Sequence, residues 1–215
     1  MTQREKVLAS VSEVIRNFGL KTVRMDDVAN SLGMSKRTLY EMFGDKEELL
    51  YDSICYMMNE RMQSLSSVLE ACDSILEKLL VSVRELFNDD PRGRIAHRLM
   101  FNLKKFYPSI YERVQRRHSE QGMLGLRCVL DECRAKGYLD RNVDVELMAQ
   151  LFLLNMSVLM SEEKVVLPEG VSRDKAFAVS IINFLRGLAS VEGLRKIDEI
   201  LARENGTEQM SVKQI

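Results

Sequence analysis

The sequence predicts an all-α fold, and three observations support this prediction. Apolar residues recur at three- and four-residue spacing along most of the 215-residue chain, as they do on one face of a helix. Leu, Met, Glu, Lys and Arg are abundant, whereas the chain has only three prolines and no tryptophan. Several apolar segments also begin with Ser, Thr or Asp followed three residues later by Glu, which is the pattern of a capping box.

Three helices are predicted within the first 45 residues. The first begins after Thr2, which is spaced to form a capping box with Glu5, and ends at Phe18 before Gly19. Residues 25–32 and 36–43 each place their apolar side chains on one face, so they predict the second and third helices. Because two short helices cannot bury both of their own apolar faces, the first helix is needed to complete a small core.

The link between the second and third helices has the spacing of a helix-turn-helix motif. Ala29 is small enough for two helices to cross closely, and Gly33 can adopt the positive φ of a sharp reversal. Ser35 then supplies a hydroxyl that can cap the next helix. A solvated helical hairpin is the alternative, but the full spacing favours a unit that places its second helix in the major groove of DNA.

The exposed face of residues 36–43 carries side chains that suit DNA. Arg37 can read guanine through two hydrogen bonds, and Lys36 can donate to a base or a phosphate. Thr38 and Tyr40 offer hydroxyls to phosphate oxygens, and the Thr38 methyl group suits a thymine methyl. Residues 16–40 contain five Lys or Arg and two Asp, although the whole chain has a net charge of −1. This local excess of positive charge favours a polyanionic partner.

The rest of the chain predicts further helices. Lys46 begins a long helix that runs into the sixties, with Asp45 and Glu48 as its capping pair. Gly122 and Gly125 predict a kink or a break within the segment 109–136. The other helices are expected over residues 74–87, 91–106, 145–161 and 173–188, with a short one around 197–201.

This order of helices predicts two domains and a tail. Residues 1–45 are expected to form a helix-turn-helix DNA-binding domain. Residues 46–205 are expected to form a larger helical domain for ligand binding and dimerisation, followed by a polar C-terminal tail at 206–215.

Residues 22–50 resemble the N-terminal signature of the TetR family of bacterial one-component regulators. The resemblance implies a transcriptional regulator whose second, divergent helical domain binds a small effector and dimerises. Arg24 stands where the family usually has Thr or Ser. Met42 stands where some members have His, and this difference weakens the expectation of a base contact at residue 42. The matching parts are Phe18-Gly19, Met25 to Ala29, Leu32 to Ser35, Thr38 to Tyr40, Phe43, Lys46-Glu47 and Leu49-Leu50.

Together, the resemblance and the residue chemistry predict a set of DNA-contacting residues. Lys46 lies at a helix N-terminus, where an ammonium group and backbone N–H groups can share one phosphate. Arg24 is expected to replace a hydroxyl–phosphate contact with a cationic one. The predicted DNA-binding residues are Arg24, Ser35, Lys36, Arg37, Thr38, Tyr40 and Lys46.

The helices at 145–161 and 173–188 carry more apolar surface than one small bundle can cover. In the family that the chain resembles, the corresponding helices pair with their twofold mates. We therefore expect a homodimer that binds a palindromic operator in double-stranded DNA, most simply as a repressor. A core formed within one chain is the alternative for either helix alone.

A small apolar or aromatic effector is expected in the second domain. Methionine and aromatic side chains that can enclose such a molecule are frequent there, although ordinary core packing explains the same pattern. The candidate effector-binding residues are Met58, Met62, Phe87, His97, Met100, Phe101, Tyr107, His118, Met123, Phe152, Asn155 and Met156.

Other functional classes lack support in the sequence. There is no glycine-rich phosphate loop, nucleophile elbow, histidine pair or triad, so an enzyme is not expected. The four cysteines lack the paired spacing of a zinc site, so no metal or cofactor is expected, and a redox role for them stays open. No apolar run is long enough to span a membrane and the N-terminus lacks a signal peptide, so a cytoplasmic location is expected. The rival interpretation is a helical interaction protein that keeps this fold without specific DNA binding.

Overall fold

The computed structural model describes the backbone of residues 1–87, 91–159 and 166–212, and within these ranges all side chains except those at 83–97, 173–174 and 204–212. The described residues are predominantly helical, which confirms the all-α prediction. A short 3-10 helix covers Leu20–Thr22. The α-helices are α1 Gln3–Phe18, α2 Met25–Ser31, α3 Lys36–Phe43, α4 Lys46–Leu69, α5 Ile75–Phe87, α6 Pro91–Phe106, α7 Pro108–Ala135, α8 Val145–Leu159, α9 Arg173–Leu188 and α10 Val191–Val212.

Helix starts follow the local capping chemistry of the sequence. The Thr2 hydroxyl accepts a hydrogen bond from the Glu5 amide, and the Glu5 carboxylate accepts one from the Thr2 amide, so the predicted capping box is confirmed. Asp45 caps α4 by accepting from the Glu48 amide at 2.9 Å. Ser74 likewise accepts from the Glu77 amide at the start of α5.

The chain divides into two compact units, each with its own core. The first unit comprises Met1–Ser67 and Asp89–Ser119. It therefore contains most of α4, all of α6 and the first part of α7 in addition to the three helices expected at 1–45, and the domain boundary at residue 45 stays a prediction. The core of the first unit is formed mainly by Val7, Val11, Ile15, Val28, Leu39, Leu49, Leu50, Ile54, Leu103, Ile110 and Val114.

The second unit comprises Val68–Asn88 and Glu120–Ile215. The start of α10 packs closely against the turn after α7, where the Ser190 amide donates to the Tyr138 carbonyl at 2.9 Å. A Cβ at Gly193 would lie 1.9 Å from the same carbonyl oxygen, so only glycine fits this approach. The core of the second unit is formed mainly by Leu76, Leu130, Cys133, Ala149, Phe152, Met156, Ile181, Leu185, Ile197 and Ile200.

The break in α7 that was one of the two expectations for this segment is absent, and the helix starts earlier than expected. The helix is continuous from Pro108 to Ala135 and does not break at Gly122 or Gly125. An internal glycine costs a helix only about 1 kcal/mol, and buried residues on both sides of the pair hold α7 in place. The helix begins at Pro108, one residue before the expected segment 109–136, and the missing N–H of a proline costs nothing at the first helical position.

The last helix is longer than the sequence suggested. α10 runs over 22 residues to Val212, into the segment expected to be a polar tail. Arg203 on this helix donates to Asp73 at 3.0 Å and to Glu77 at 2.9 Å, which ties α10 to the start of α5. None of the described helices is long and apolar enough to cross a membrane.

Candidate nucleic-acid interface

The turn between α2 and α3 is fixed by backbone hydrogen bonds. Gly33 adopts a φ of +63°, and the Met34 amide donates to the Ala29 carbonyl at 3.0 Å. The Ser35 hydroxyl accepts from the Thr38 amide at 3.0 Å and begins α3. The sequence-based predictions for Gly33 and Ser35 are therefore confirmed, and the turn sets where α3 starts.

Opposite faces of α3 have different environments. Leu39 and Phe43 are buried in the core of the first unit, and Met42 is half-buried against it. Ala29 on α2 is also buried, as expected for a small residue where two helices cross. Because the apolar side of α3 is covered by the unit itself, the face with Lys36, Arg37 and Tyr40 is left exposed to solvent.

Lys36 on this face is paired with a carboxylate of α2. Its Nζ lies 2.8 Å from Asp26 Oδ1, and both side chains are more than half exposed. The hydrogen bond with Asp26 and the charge of that carboxylate raise the pKa of Lys36 above its ordinary value. Lys36 therefore remains fully charged at neutral pH and can exchange Asp26 for a phosphate oxygen.

Arg37 is paired within α3. Its Nε lies 2.8 Å from Glu41 Oε1, one helical turn further along, and the two side chains are 88% and 61% exposed. The sequence analysis did not include Glu41 among the site residues, although the spacing of an arginine and a glutamate four residues apart was visible. Arg37, which is more exposed than Lys36, thus has an acidic neighbour on the same outward face of α3, the recognition face formed by Lys36, Arg37 and Tyr40.

The other predicted DNA-binding residues surround α3. Arg24 is exposed and precedes α2 in extended backbone, where its side chain makes no capping bond. The hydroxyls of Ser35 and Thr38 lie 2.9 Å apart, so the Ser35 hydroxyl contacts the Thr38 hydroxyl in addition to capping the start of α3. Lys46 is the first residue of α4 and is half-buried. These residues lie on the helix-turn-helix or at the helix start that follows it, and their contacts with DNA stay a prediction.

Arg4 on α1 anchors the end of α3, and the sequence analysis missed it. Its Nη1 donates to the Met42 carbonyl at 2.7 Å, and its guanidinium lies 4.5 Å from the centroid of the Phe43 ring. Nη2 forms an ion pair with Asp52 on α4. One guanidinium therefore joins α1, α3 and α4. A contact between residues 38 to 48 positions apart has no local signature, so the sequence did not reveal it.

The first turn of α4, next to Lys46, is held by α7. The guanidinium of Arg113 binds the Glu48 carboxylate through two hydrogen bonds of 2.5 and 2.9 Å and lies 4.0 Å from the centroid of the Tyr51 ring. The hydrogen bonds from Arg113 lower the pKa of Glu48 below its ordinary value. The Ser109 hydroxyl adds a hydrogen bond of 3.1 Å to Glu47. The start of α4 is thus fixed within the first unit.

The candidate effector-binding residues fall in both units. In the first unit, Met58, Met100 and Tyr107 border the core, whereas Met62, Phe101 and His118 are exposed. In the second unit, Phe152 and Met156 are buried, Met123 is half-buried and Asn155 is exposed. The side chains of Phe87 and His97 lie outside the described residues. Neither unit brings the whole set together, so their role in binding an effector stays a prediction.

A polar cleft of about 300 Å³ lies in the second unit. It contains none of the predicted effector-binding residues, and its charged lining does not suit an apolar ligand. The lining residues are Cys72, Asp73, Ser74, Ile75, Lys78, Glu132, Lys136 and Tyr138.

The cysteines and acidic residues do not form a metal centre in the part of the chain that the structure describes, since no three His, Cys, Asp or Glu side chains there converge. Cys55 and Cys133 are buried, and burial raises the pKa of the Cys133 thiol to about 12. Cys133 is therefore protonated at neutral pH and acts as a small apolar side chain.

Comparisons with known proteins agree with this geometry. Residues 8–51, which include α2, the turn and α3, match the family described as bacterial regulatory proteins, tetR family. An HTH-type transcriptional regulator of Bacillus subtilis (strain 168), YvaF, is 24% identical over 162 residues, covering 74% of this chain and 82% of that protein.

The fold is also found in solved structures. A TetR-family transcriptional regulator from Cytophaga hutchinsonii has a TM-score of 0.62 at 16% identity, covering 86% of this chain and 94% of that one. The fatty acid degradation regulator FadR from Bacillus halodurans has a TM-score of 0.57 at 17% identity, covering 85% and 97%. Residues 8–51 therefore match the helix-turn-helix region of the tetR family, and the solved structures show that the chain shares the fold of these regulators.

Proposed function

We propose that this regulator is a repressor that binds a palindromic DNA operator as a homodimer and is released by a small apolar or aromatic effector. The observation that carries the proposal is the outward face of α3, where Lys36, Arg37 and Tyr40 are exposed while Leu39 and Phe43 hold the helix on the core. A short helix fixed in this way can enter the major groove with its polar side chains first.

An exposed apolar face on α8 supports the dimer. Leu147, Leu151 and Leu154 follow at helical spacing and are 46%, 39% and 60% exposed. α8 packs against α9 within the second unit, where the rings of Phe152 and Phe184 have centroids 5.1 Å apart. A second copy that covers the leucine face would remove it from water, and twofold symmetry would match an inverted repeat in DNA.

Release by an effector requires two states with different spacing of the recognition helices. To change operator occupancy from nearly full to nearly empty, the effector must favour the non-binding state by about 5 kcal/mol. A relative with the same fold is described as a regulator of fatty acid degradation, which supports an apolar ligand for this class of domain. α4 is the connection we propose, because it begins beside α3 and ends in the second unit.

The experiment that tests the proposal is selection of bound sites from a random duplex library by the full-length protein. We expect an inverted repeat whose half-sites are centred about 34–36 Å apart, or a multiple of that distance. Enrichment of a single site without symmetry would contradict the dimer. Failure to bind random duplex even at low salt would contradict DNA binding itself and favour a helical interaction protein.

A further inference from the structure

We propose that Glu41 is a specificity-determining residue that positions Arg37 for guanine and reduces binding to other DNA. This inference rests on the proposed DNA-binding function and deepens it. It concerns a residue whose carboxylate lies on the recognition face itself, where a negative charge opposes binding to a polyanion.

The contact between the two side chains leaves the reading edge of Arg37 available. Glu41 Oε1 accepts from the Arg37 Nε at 2.8 Å. A guanidinium has five N–H donors: Nε–H shares its edge with one N–H of a terminal nitrogen, whereas the end of the group presents one N–H from each of Nη1 and Nη2. Those terminal nitrogens form the fork that matches the O6 and N7 atoms of guanine. Glu41 can therefore hold the arginine from behind while its outer end contacts a base.

Holding Arg37 in place matters because the side chain is otherwise free to move. Arg37 is 88% exposed, so core packing does not restrict its rotamers. An ion pair one helical turn apart is weak in water, but it strengthens when the groove displaces water around it. Because the contact already restricts Arg37 in the free protein, the guanidinium loses less rotamer entropy when it binds guanine, and the pair strengthens further in the bound complex.

The same carboxylate disfavours DNA that lacks the right base. Near phosphates, Glu41 is repelled on every sequence, and this repulsion is offset only where Arg37 meets guanine or where Glu41 accepts a hydrogen bond from a cytosine amino group. A residue that weakens binding to every DNA sequence, but whose unfavourable effect is offset at the correct base, increases the discrimination between the operator and other sequences. Glu41 therefore contributes to specificity through both its contact with Arg37 and its charge.

Nearby acids provide matched controls. Asp27 is exposed on the first turn of α2, and its side chain forms no hydrogen bond or ion pair with the part of the chain that the structure describes. Asp27→Asn changes the net charge as Glu41→Gln does but leaves the Arg37 contact intact. Gln is nearly as good a helix former as Glu, so Glu41→Gln is expected to keep α3 folded.

The test compares dissociation constants of full-length variants at one salt concentration. Three duplexes are used: the selected operator, the same operator with the guanine contacted by Arg37 replaced, and a random sequence. That guanine is identified as the base pair at which Arg37→Ala relaxes the sequence preference. We expect Glu41→Gln to strengthen binding to random duplex and to lower the ratio of operator to random affinity by about three- to tenfold. Asp27→Asn should strengthen binding to the operator and to the random duplex alike and leave the ratio of the two affinities unchanged.

The double variant Arg37→Ala/Glu41→Gln separates positioning from charge. If Glu41 acts through Arg37, its substitution should cause no further loss of discrimination at the guanine once Arg37 is absent. The inference is overturned if Glu41→Gln changes the ratio no more than Asp27→Asn, or if its effect at that guanine persists without Arg37. A wild-type protein that binds no duplex selectively would overturn the proposed function together with this inference. Selective wild-type binding with unchanged discrimination in Glu41→Gln would overturn this inference alone.

Discussion

Lys36 and Arg37, the cations at the start of α3, already contact carboxylates in the free protein. Lys36 binds Asp26 from α2, and Arg37 binds Glu41 from its own helix. In the proposed complex, DNA binding therefore exchanges internal ion pairs for contacts with phosphates and bases. Both pairs are exposed, so each contributes little to folding stability and can be exchanged at low cost.

Arg37→Ala tests the reading of a base. We expect a loss of about 1–3 kcal/mol in operator binding and relaxed preference at one base pair, because a two-hydrogen-bond contact with guanine is removed. Competition binding with single-base operator variants measures both effects. An equal loss on all sequences, including random duplex, would show that Arg37 contacts phosphate instead.

Lys46→Ala tests a phosphate contact. Binding to all sequences should weaken alike, and the slope of log affinity against log salt should fall by about one. A salt titration on operator and random duplex measures this slope. A changed sequence preference would contradict the role assigned to Lys46.

The sequence was sufficient for the residues whose chemistry is local. Gly33 and Ser35 follow from the turn and the cap that they form, and the exposed face of α3 follows from its apolar spacing. Partners brought together by helix crossing could not be predicted. Asp26 lies ten positions before Lys36, and Arg4 lies 38 positions before Met42, so neither pair has a recognisable spacing.

At the scale of elements, α3 is held from its C-terminal end as well as by its buried face. Arg4 donates to the Met42 carbonyl, stacks on Phe43 and pairs with Asp52. A cation at a helix C-terminus also interacts favourably with the helix dipole. The position of the recognition helix therefore depends on a side chain of α1.

Arg4→Met removes this anchor. We expect the free energy of unfolding to fall by about 1–2 kcal/mol, because a charged hydrogen bond and a cation–π contact are lost together. Urea unfolding measures the change. Lys6→Met is the control, since it removes an exposed cation from the same helix. A loss no larger than that of the control would contradict the anchoring role.

Glu48→Gln tests the pairing of α4 with α7. The pKa of Glu48 is lowered in the folded protein, so its contribution is complete above the unfolded value of about 4.3 and is lost as pH falls through the folded value. At pH 7 we expect a loss of about 0.5–1 kcal/mol in unfolding free energy, as both partners are partly exposed.

Unfolding in urea at several pH values checks this dependence. The difference between wild type and Glu48→Gln should shrink as the pH is lowered below about 4. Glu112→Gln, at an exposed position on α7 outside this ion pair, is the control. A difference that stays constant down to acid pH would exclude the ionised carboxylate as its source.

Helix bounds were predictable where a cap or a proline determines them, as for α1, α3, α4 and α6. The break expected in α7 was wrong because glycine propensity is a weak local preference that tertiary packing overrides. Ile110 and Val114 are buried in the first unit, and Leu130 and Cys133 are buried in the second. With both ends of the helix anchored, two internal glycines are tolerated.

At the scale of the whole molecule, the proposed binding to a palindromic operator depends on the proposed dimer. Leu154→Asp places a charge on the exposed leucine face of α8 without disturbing the core, as the side chain is already 60% exposed. We expect dissociation to monomers in sedimentation at micromolar concentration, and at least a tenfold loss in operator affinity because two half-sites are no longer bound together.

Val191→Asp is the matched control for this prediction. Val191 is 87% exposed at the start of α10, where an acidic residue is compatible with the helix dipole. The variant should remain dimeric and bind the operator as wild type does. If Leu154→Asp behaves like the control, the leucine face is not the dimer interface.

The effector site is the part that sequence reasoning defined least. Apolar residues at helical spacing line a core and a ligand cavity in the same way, so the pattern cannot separate them. Phe152 and Met156 illustrate this, because both belong to the core of the second unit. Met58 and Tyr107 border the core of the first.

The pairing of Lys36 with Asp26 also bears on how phosphate contacts are counted. In the proposed complex Lys36 moves to a phosphate, and we expect the vacated Asp26 carboxylate to attract a sodium or potassium ion from solution. This uptake subtracts from the ions that DNA releases, so the measured salt dependence reports fewer phosphates than the protein touches. Asp26→Asn should remove the uptake and give a steeper salt dependence while the number of phosphate contacts stays the same.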